Sequence, residues 1–325
     1  MRSNRNDTEQ PARQTDPAAA VPDSASATGG KSSFDDIYDQ PDPRAYYRTL
    51  RPYEYRIPHH AQQLTRRLLG TKPLVAAAER GPLAVLDLCC SYGLNAALLN
   101  HALTLDDLYR HYARHDTGAE AADPGGSATT RPGPAELLAV DREFYAAHRR
   151  YDAVRTLGLD AAANAVGYAR DAGLLERSHH EDLERNEPSE ALKAALGGVS
   201  LVTVSGGVGY VTERTFARLV RHLPPHAWVL ALVLRTVDYG GIVRTLAEHG
   251  LTTVRGPGTH RQRRFTSAQE QRHALEAVRA AGLTPEGYEA DGYYHAELWL
   301  SGPGDRESVL AVLDEVAVPD EASGG

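Results

Sequence analysis

The chain has 325 residues, 43 acidic against 35 basic side chains, and a net charge of −8. That length supports one large domain or a domain with a cap, and the absence of a basic cluster argues against nucleic acid as an obligatory partner. Its two cysteines, adjacent at Cys89 and Cys90, exclude a disulfide framework and suit a reducing cytoplasm. No signal peptide or bilayer-spanning run of about 20 apolar residues is visible, so a cytoplasmic protein without a membrane partner is expected.

Residues 1–33 are rich in Ala, Ser, Pro, Asp and Gly without a hydrophobic period and read as a disordered tail. Residues 34–75 then read as an amino-terminal cap or lid. They hold a turn at Pro41-Asp-Pro43, a short helix at Arg44–Leu50 and a second helix at His59–Leu69. Five of the 16 tyrosines (Tyr38, Tyr46, Tyr47, Tyr53 and Tyr55) crowd this segment. Tyrosine rings stabilise cations in dry pockets, although the same residues also serve as ordinary half-buried packing.

The main domain is expected over 76–318, with a flexible tail at 319–325. An apolar run, Leu83–Asp87, predicts the first strand, and an Ala/Leu-rich helix starts near Leu94 after a turn of small residues. A capped helix from Thr104, a Gly/Ser/Thr/Pro loop at 118–134 and a helix at Pro134–Arg150 follow; residues 101–150 read as a helical insertion. Two acids compete for the place after the second strand. Asp141 lies in a continuing helical period. Asp160 ends Ala153–Asp160 and is followed by a clear helix at Ala161–Ala172, which favours Asp160.

Strands at Leu174–Leu183, Val199–Ser205 and Trp228–Leu234 alternate with helices at Pro188–Leu196, Glu213–Leu223 and Gly241–Gly250. This is the pattern of an open, mostly parallel sheet. Thr252–Phe265 reads as irregular and carries His260, Arg261, Arg263 and Arg264. A helix at Ser267–Gly282 and an antiparallel hairpin at Pro285–Ser301 close the domain. His179 and His180 lack partners at metal-ligand spacing and read as surface histidines, so no metal site is expected.

The segment Ala84-Val-Leu-Asp-Leu-Cys-Cys-Ser-Tyr-Gly-Leu-Asn-Ala-Ala-Leu-Leu99 resembles motif I of class I S-adenosylmethionine-dependent methyltransferases. Of the motif's three alternating glycines only Gly93 is kept; Cys89 and Ser91 occupy the other two places. Leu157-Gly-Leu-Asp-Ala-Ala-Ala-Asn-Ala-Val-Gly-Tyr-Ala169 is similar to the second strand and helix of that family, and the likeness in pattern covers about residues 80–305. It implies an α/β fold: a Rossmann-like seven-stranded mostly parallel sheet with an antiparallel last strand, plus the amino-terminal helical cap and the helical insertion.

The resemblance further implies S-adenosylmethionine as cofactor. Asp87, Cys89, Ser91, Tyr92, Gly93 and Asn95 would form its cradle, and Asp160 would hold the ribose hydroxyls. Asp182 and Leu183 would meet the adenine, with Ser205 and Gly206 as the floor. Cys90 reads as inert core. Tyr210 and Tyr55 are candidates for the sulfonium region or the acceptor, and His60 for a general base. An Asp/Asn-Pro-Pro-Tyr segment and metal-binding carboxylates are both missing after the fourth strand, which lowers amino-methylating and metal-dependent subtypes.

The function implied is methyl transfer to a small molecule, in the setting of bacterial secondary metabolism. The alternative is a methyltransferase-like cyclase that uses S-adenosylmethionine alone and forms azetidine-2-carboxylate or 1-aminocyclopropane-1-carboxylate with methylthioadenosine. An NAD-dependent oxidoreductase ranks low, because two of the glycines that receive a pyrophosphate are missing. A non-catalytic binding module also ranks low. The sequence is silent on oligomeric state.

Overall fold

A computed structural model describes residues 35–116 and 131–317; the expected tails at 1–33 and 319–325 and most of the loop at 118–134 lie outside these residues. Among the described residues eight strands form one sheet: β1 Ala84–Leu88, β2 Arg155–Asp160, β3 Arg177–His180, β4 Leu201–Ser205, β5 Trp228–Leu234, β6 Leu251–Arg255, β7 His260–Arg264 and β8 Tyr293–Pro303. Their order is β3-β2-β1-β4-β5-β8-β6, with β7 also paired to β8. The first five strands are parallel and β8 runs antiparallel to β5. The order reverses between β1 and β4, which opens a crevice at the carboxyl ends of those strands.

Alternation along β1 sends Val85 into the core under the helices Ile57–Leu69 and Leu94–Asn100, while Ala84, Leu86 and Leu88 face the helices Glu190–Leu196, Glu213–Val220 and Gly240–Glu248. Asp87, on the Val85 side, is therefore a carboxylate at a core position. Apolar faces of helices on both sides bury the strands almost completely, as a parallel sheet requires.

Two sequence readings need correction. Thr252–Phe265 is not irregular: it forms β6 and β7, which pair with opposite ends of the long β8. Gly256-Pro257-Gly258 interrupts what would otherwise be one edge strand, because proline cannot donate to the ladder. The expected hairpin at Pro285–Ser301 is instead a 3-10 turn followed by β8 alone; with β6 and β7 added, the sheet has eight strands instead of seven.

The insertion consists of helices Leu105–Asp116 and Pro134–His148. Asp141, the rejected ribose candidate, is fully buried there. It accepts hydrogen bonds from Tyr112 (2.8 Å) and Tyr168, and His111 Nε2 lies 2.6 Å from its other oxygen. One carboxylate thus ties both insertion helices to the helix Ala163–Asp171. Tyr47 of the cap stacks on Tyr112 at 4.2 Å, joining the cap to the same knot.

The turn after β1 keeps the backbone of an alternating-glycine loop with only one of its glycines. Cys89, Ser91 and Gly93 all have left-handed backbones, with φ of 59°, 48° and 77°. Each cysteine side chain is accommodated by a glycine elsewhere. A Cβ on Gly207 would lie 2.7 Å from Cys89 Sγ, and one on Gly158, in β2, would lie 2.7 Å from Cys90 Sγ. Gly207→Ala should therefore destabilise the protein by about 1–3 kcal/mol through overpacking. Cys89→Gly in the same chain should restore at least half of that loss. Urea unfolding of the two variants checks this, and equal losses in both would show that the contact is relieved without strain.

Candidate functional site

The crevice is a cleft of about 480 Å³ bounded by the β1 turn, the ends of β2 and β4, residues 181–185, and the cap. It gathers most of the residues expected from sequence: Cys89, Ser91, Asn95, Asp160, Asp182, Leu183, Ser205, Gly206, Tyr210 and Tyr55 all line it. Those it does not bring to the wall are Asp87, Tyr92, Gly93 and His60.

Asp160, at the end of β2, accepts from the backbone N–H of Ser91 (2.8 Å) and of Ala162 (2.9 Å), one on each oxygen. Burial pushes its carboxyl above the ordinary range, while these backbone bonds pull it down. Each oxygen keeps a further lone pair for a ligand donor. Asp182 is held by the N–H of Glu184 at 2.9 Å. Glu184 in turn accepts from the backbone and hydroxyl of both Thr212 and Thr215, which fixes residues 181–185 to the start of the helix Glu213–Val220 and keeps its own carboxyl below the usual range.

Asp87 lies behind the cleft. Its Oδ1 accepts from Asn95 Nδ2 (2.8 Å), and Asn95 Oδ1 accepts from the hydroxyl of Ser205 (3.1 Å). Asn95, on the wall, thus connects Asp87 to the ligand space. Asp87 Oδ2 and Ser91 Oγ are buried without a hydrogen-bond partner in this structure. Burial raises the Asp87 carboxyl to about 7, against the pull of Asn95 and with a further push from Asp160. Burial and the neighbouring carboxylates raise both cysteine thiols, so they remain protonated. Cys90 is core as expected, yet it also reaches the wall.

Gly93 is absent from the wall because its place is structural: a Cβ there would lie 3.0 Å from Ala169 Cβ. Tyr92 is a latch. Its hydroxyl accepts from the backbone N–H of Gln40 (2.7 Å) and donates to the Gln40 carbonyl (2.9 Å). His60 packs on His260 with ring centroids 5.0 Å apart, away from the cleft, and burial with those neighbours lowers its imidazole to about 4. A general-base role for His60 has no geometric support.

The cap closes the cleft with Tyr38, Asp39, Tyr46, Tyr55 and Pro58. It is fastened at both ends. On one side Asp39 accepts from the backbone N–H of Asn164 (2.7 Å), next to the Tyr92 latch. On the other Glu54 accepts from Arg264 (2.5 Å) and Tyr293 (3.0 Å), and the Arg56 N–H donates to the Gln262 carbonyl (2.7 Å). Tyr38, Tyr46, Tyr55 and Tyr92 form a run of edge-to-face contacts centred on Tyr46.

The crowding of tyrosines signalled Tyr38 and Tyr46, whereas Asp39, Glu181 and Glu184 left no signal in the sequence. The cationic run of β7 is also used structurally: Arg263 is buried in an ion pair with Glu270 (2.6 Å), and Arg261 lies over Tyr293. His180 is exposed as expected, but His179 is buried, because the alternation of β3 turns it inward. Among the described residues no group of three or more His, Cys, Asp or Glu could hold a metal ion, and no helix is long and apolar enough to cross a membrane.

No protein-family profile and no curated protein matches the chain. Among solved structures it is similar to magnesium protoporphyrin IX methyltransferase (ChlM) from Synechocystis PCC 6803 with bound SAM, at 12% identity over 88% of this chain and 100% of that one, TM-score 0.38. It is also similar to the plantazolicin methyltransferase BpumL in complex with SAH, at 10% identity over 86% and 96%, TM-score 0.38. A third is precorrin-6y C5,15-methyltransferase from Geobacter metallireducens GS-15, at 12% identity over 68% and 80%, TM-score 0.33.

Asp87 makes stability pH-dependent in a defined direction. Its folded carboxyl titrates at about 7 against 3.8 for the free group, so the folded state holds the proton more tightly. Its contribution is complete below about pH 4 and is lost as pH rises through about 7. Asp87→Asn should remove roughly 2–4 kcal/mol of that decline. Urea titrations at pH 4 and pH 8 check it; parallel declines in variant and parent would place the raised carboxyl elsewhere.

Proposed function

We propose that this chain binds S-adenosylmethionine in the cleft and transfers its methyl group to a small-molecule acceptor. The observation that carries this reading is the turn after β1: three alternating left-handed residues, at 89, 91 and 93, lead into a helix beside an acid that ends the neighbouring strand. Such a turn lets a ligand approach the backbone closely, and the acid suits a ribose diol. Other features support the fit. The unpartnered buried hydroxyl of Ser91 sits on the wall at the turn, where a polar ligand would satisfy it. Asp160 and Asp182, on the wall, each keep acceptor capacity beyond their backbone bonds, which suits a ligand rich in hydroxyl and amino donors.

In this reading Asp160 holds the ribose, and Asp182 and Leu183 meet the adenine. Asn95 and Ser205, backed by Asp87, orient the amino-acid portion. The cofactor supplies a methyl carbon already activated by a sulfonium. Little acid–base machinery is then needed, and the protein's work is to align the reacting atoms and exclude water. Tyr38, Tyr46, Tyr55 and Tyr210 surround the remaining space with aromatic surface, which stabilises a cation and excludes water.

Calorimetry with S-adenosylhomocysteine tests the binding. The parent should bind it, and Asp160→Asn should lose about tenfold to a hundredfold in affinity, the value of hydrogen bonds to a charged acceptor. Absence of binding by the parent would end the proposal. Incubation with S-adenosylmethionine alone, followed by mass spectrometry, separates the chemistries: methylthioadenosine with a cyclic amino acid would replace methyl transfer by intramolecular cleavage.

A further inference from the structure

The helix Ala163–Asp171 begins at the edge of the cleft, and two carboxylates from distant parts of the chain meet its amino-terminal end. Asp160, at the end of β2, accepts from the N–H of Ala162 (2.9 Å). Asp39, from the cap, accepts through Oδ1 from the N–H of Asn164 (2.7 Å). Both acids line the cleft, with Ala161 and Ala162. The amides that anchor them are two residues apart in one helical turn, so the carboxylates are neighbours there. Burial is the main cause that raises the Asp160 carboxyl, and the Asp39 carboxylate adds to that push.

Asp39 is held in a fixed place. Its carbonyl accepts from Asn164 Nδ2 (3.0 Å), and beside it the Tyr92 hydroxyl holds both the N–H and the carbonyl of Gln40. This fastening uses only Oδ1 of the carboxylate; Oδ2 has no donor among the described residues. The helix end favours the two negative charges through the oxygens that meet it. On the cleft side the charges repel each other unless a ligand donates to both. Ser91 adds a third polar group to the same wall. It is 9% exposed, it gives its N–H to Asp160, and its hydroxyl is buried without a hydrogen-bond partner.

A vicinal diol brings two hydroxyl donors side by side and carries no charge, so it serves two neighbouring carboxylates at once. We propose that Asp39 is a second ribose-binding residue, which takes one hydroxyl of the diol through Oδ2 while Asp160 takes the other. This rests on the S-adenosylmethionine reading above, in which Asp160 alone holds the ribose. The bound ribose then joins the cap to the end of β2, and each hydroxyl of the diol has its own protein partner.

Calorimetry with S-adenosylhomocysteine and its 2′-deoxy and 3′-deoxy analogues tests this. Asp39→Asn keeps an oxygen for the Asn164 N–H and removes the charge at an exposed position. It should weaken S-adenosylhomocysteine about tenfold, the value of a hydrogen bond to a charged acceptor. With the analogue that lacks the hydroxyl held by Asp39 the loss should vanish, while Asp160→Asn should still weaken that analogue. Asp39→Ala, which gives up the fastening as well, should show the same selectivity on top of a uniform loss. If both Asp39 variants weaken all three ligands alike, Asp39 only fastens the cap and the proposal is wrong. It is equally wrong if neither variant weakens any of them, or if the parent binds either analogue as tightly as S-adenosylhomocysteine. In these cases the cofactor reading stands, provided that the parent binds S-adenosylhomocysteine and Asp160→Asn weakens it. If the parent does not bind S-adenosylhomocysteine at all, the cofactor reading fails and takes this proposal with it.

Discussion

A left-handed backbone costs an L-residue about 1–2 kcal/mol, and this chain accepts that cost at Cys89 and again at Ser91. What it keeps in return is the shape of the turn between β1 and the helix Leu94–Asn100. That shape aims the Ser91 N–H at Asp160 and turns Asn95 toward both Asp87 and Ser205. Three strands therefore meet in one hydrogen-bonded system across the top of the sheet. The side chain of Cys89, at a glycine place, is made tolerable by Gly207 opposite it, and that of its neighbour Cys90 by Gly158. The small residues have been redistributed around the crevice, and its floor still comes close to the backbone.

The sequence revealed the crevice through its apolar periods. Asp160 could be preferred to Asp141 because a strand must be followed by a turn, and only Asp160 had one; the buried, three-partner setting of Asp141 in the insertion agrees with that choice. Local pattern failed where partners distant in sequence decide the outcome. β6 and β7 carry polar residues and a Gly-Pro-Gly break, and they become strands only because β8 is long enough to pair with both. His60 looked available in the sequence, but a neighbouring histidine from β7 covers it. Glu184 could not be read at all, since its partners Thr212 and Thr215 lie on another helix and its position in sequence has no period to mark it.

The cap and the cleft are one electrostatic system. Carboxylates collect where the strands of the first half end, and the cap adds Asp39 together with the phenols of Tyr38, Tyr46 and Tyr55. Asp87 sits behind the wall, buried and linked to it by one amide. A cationic ligand group brought near it would favour its ionised form and release a proton, so binding and protonation are coupled through Asn95.

The two free edges of the sheet also shape how the molecule meets its own copies. β3 is four residues long and reads Arg-Ser-His-His. The opposite edge is divided into β6 and β7 by Gly256-Pro257-Gly258, and β7 carries a bulge and three arginines. An exposed edge recruits foreign strands when it is long, flat and uncharged. Here one edge is too short and the other is broken and positively charged, so lateral strand addition, the usual beginning of β-aggregation, finds no template on either side.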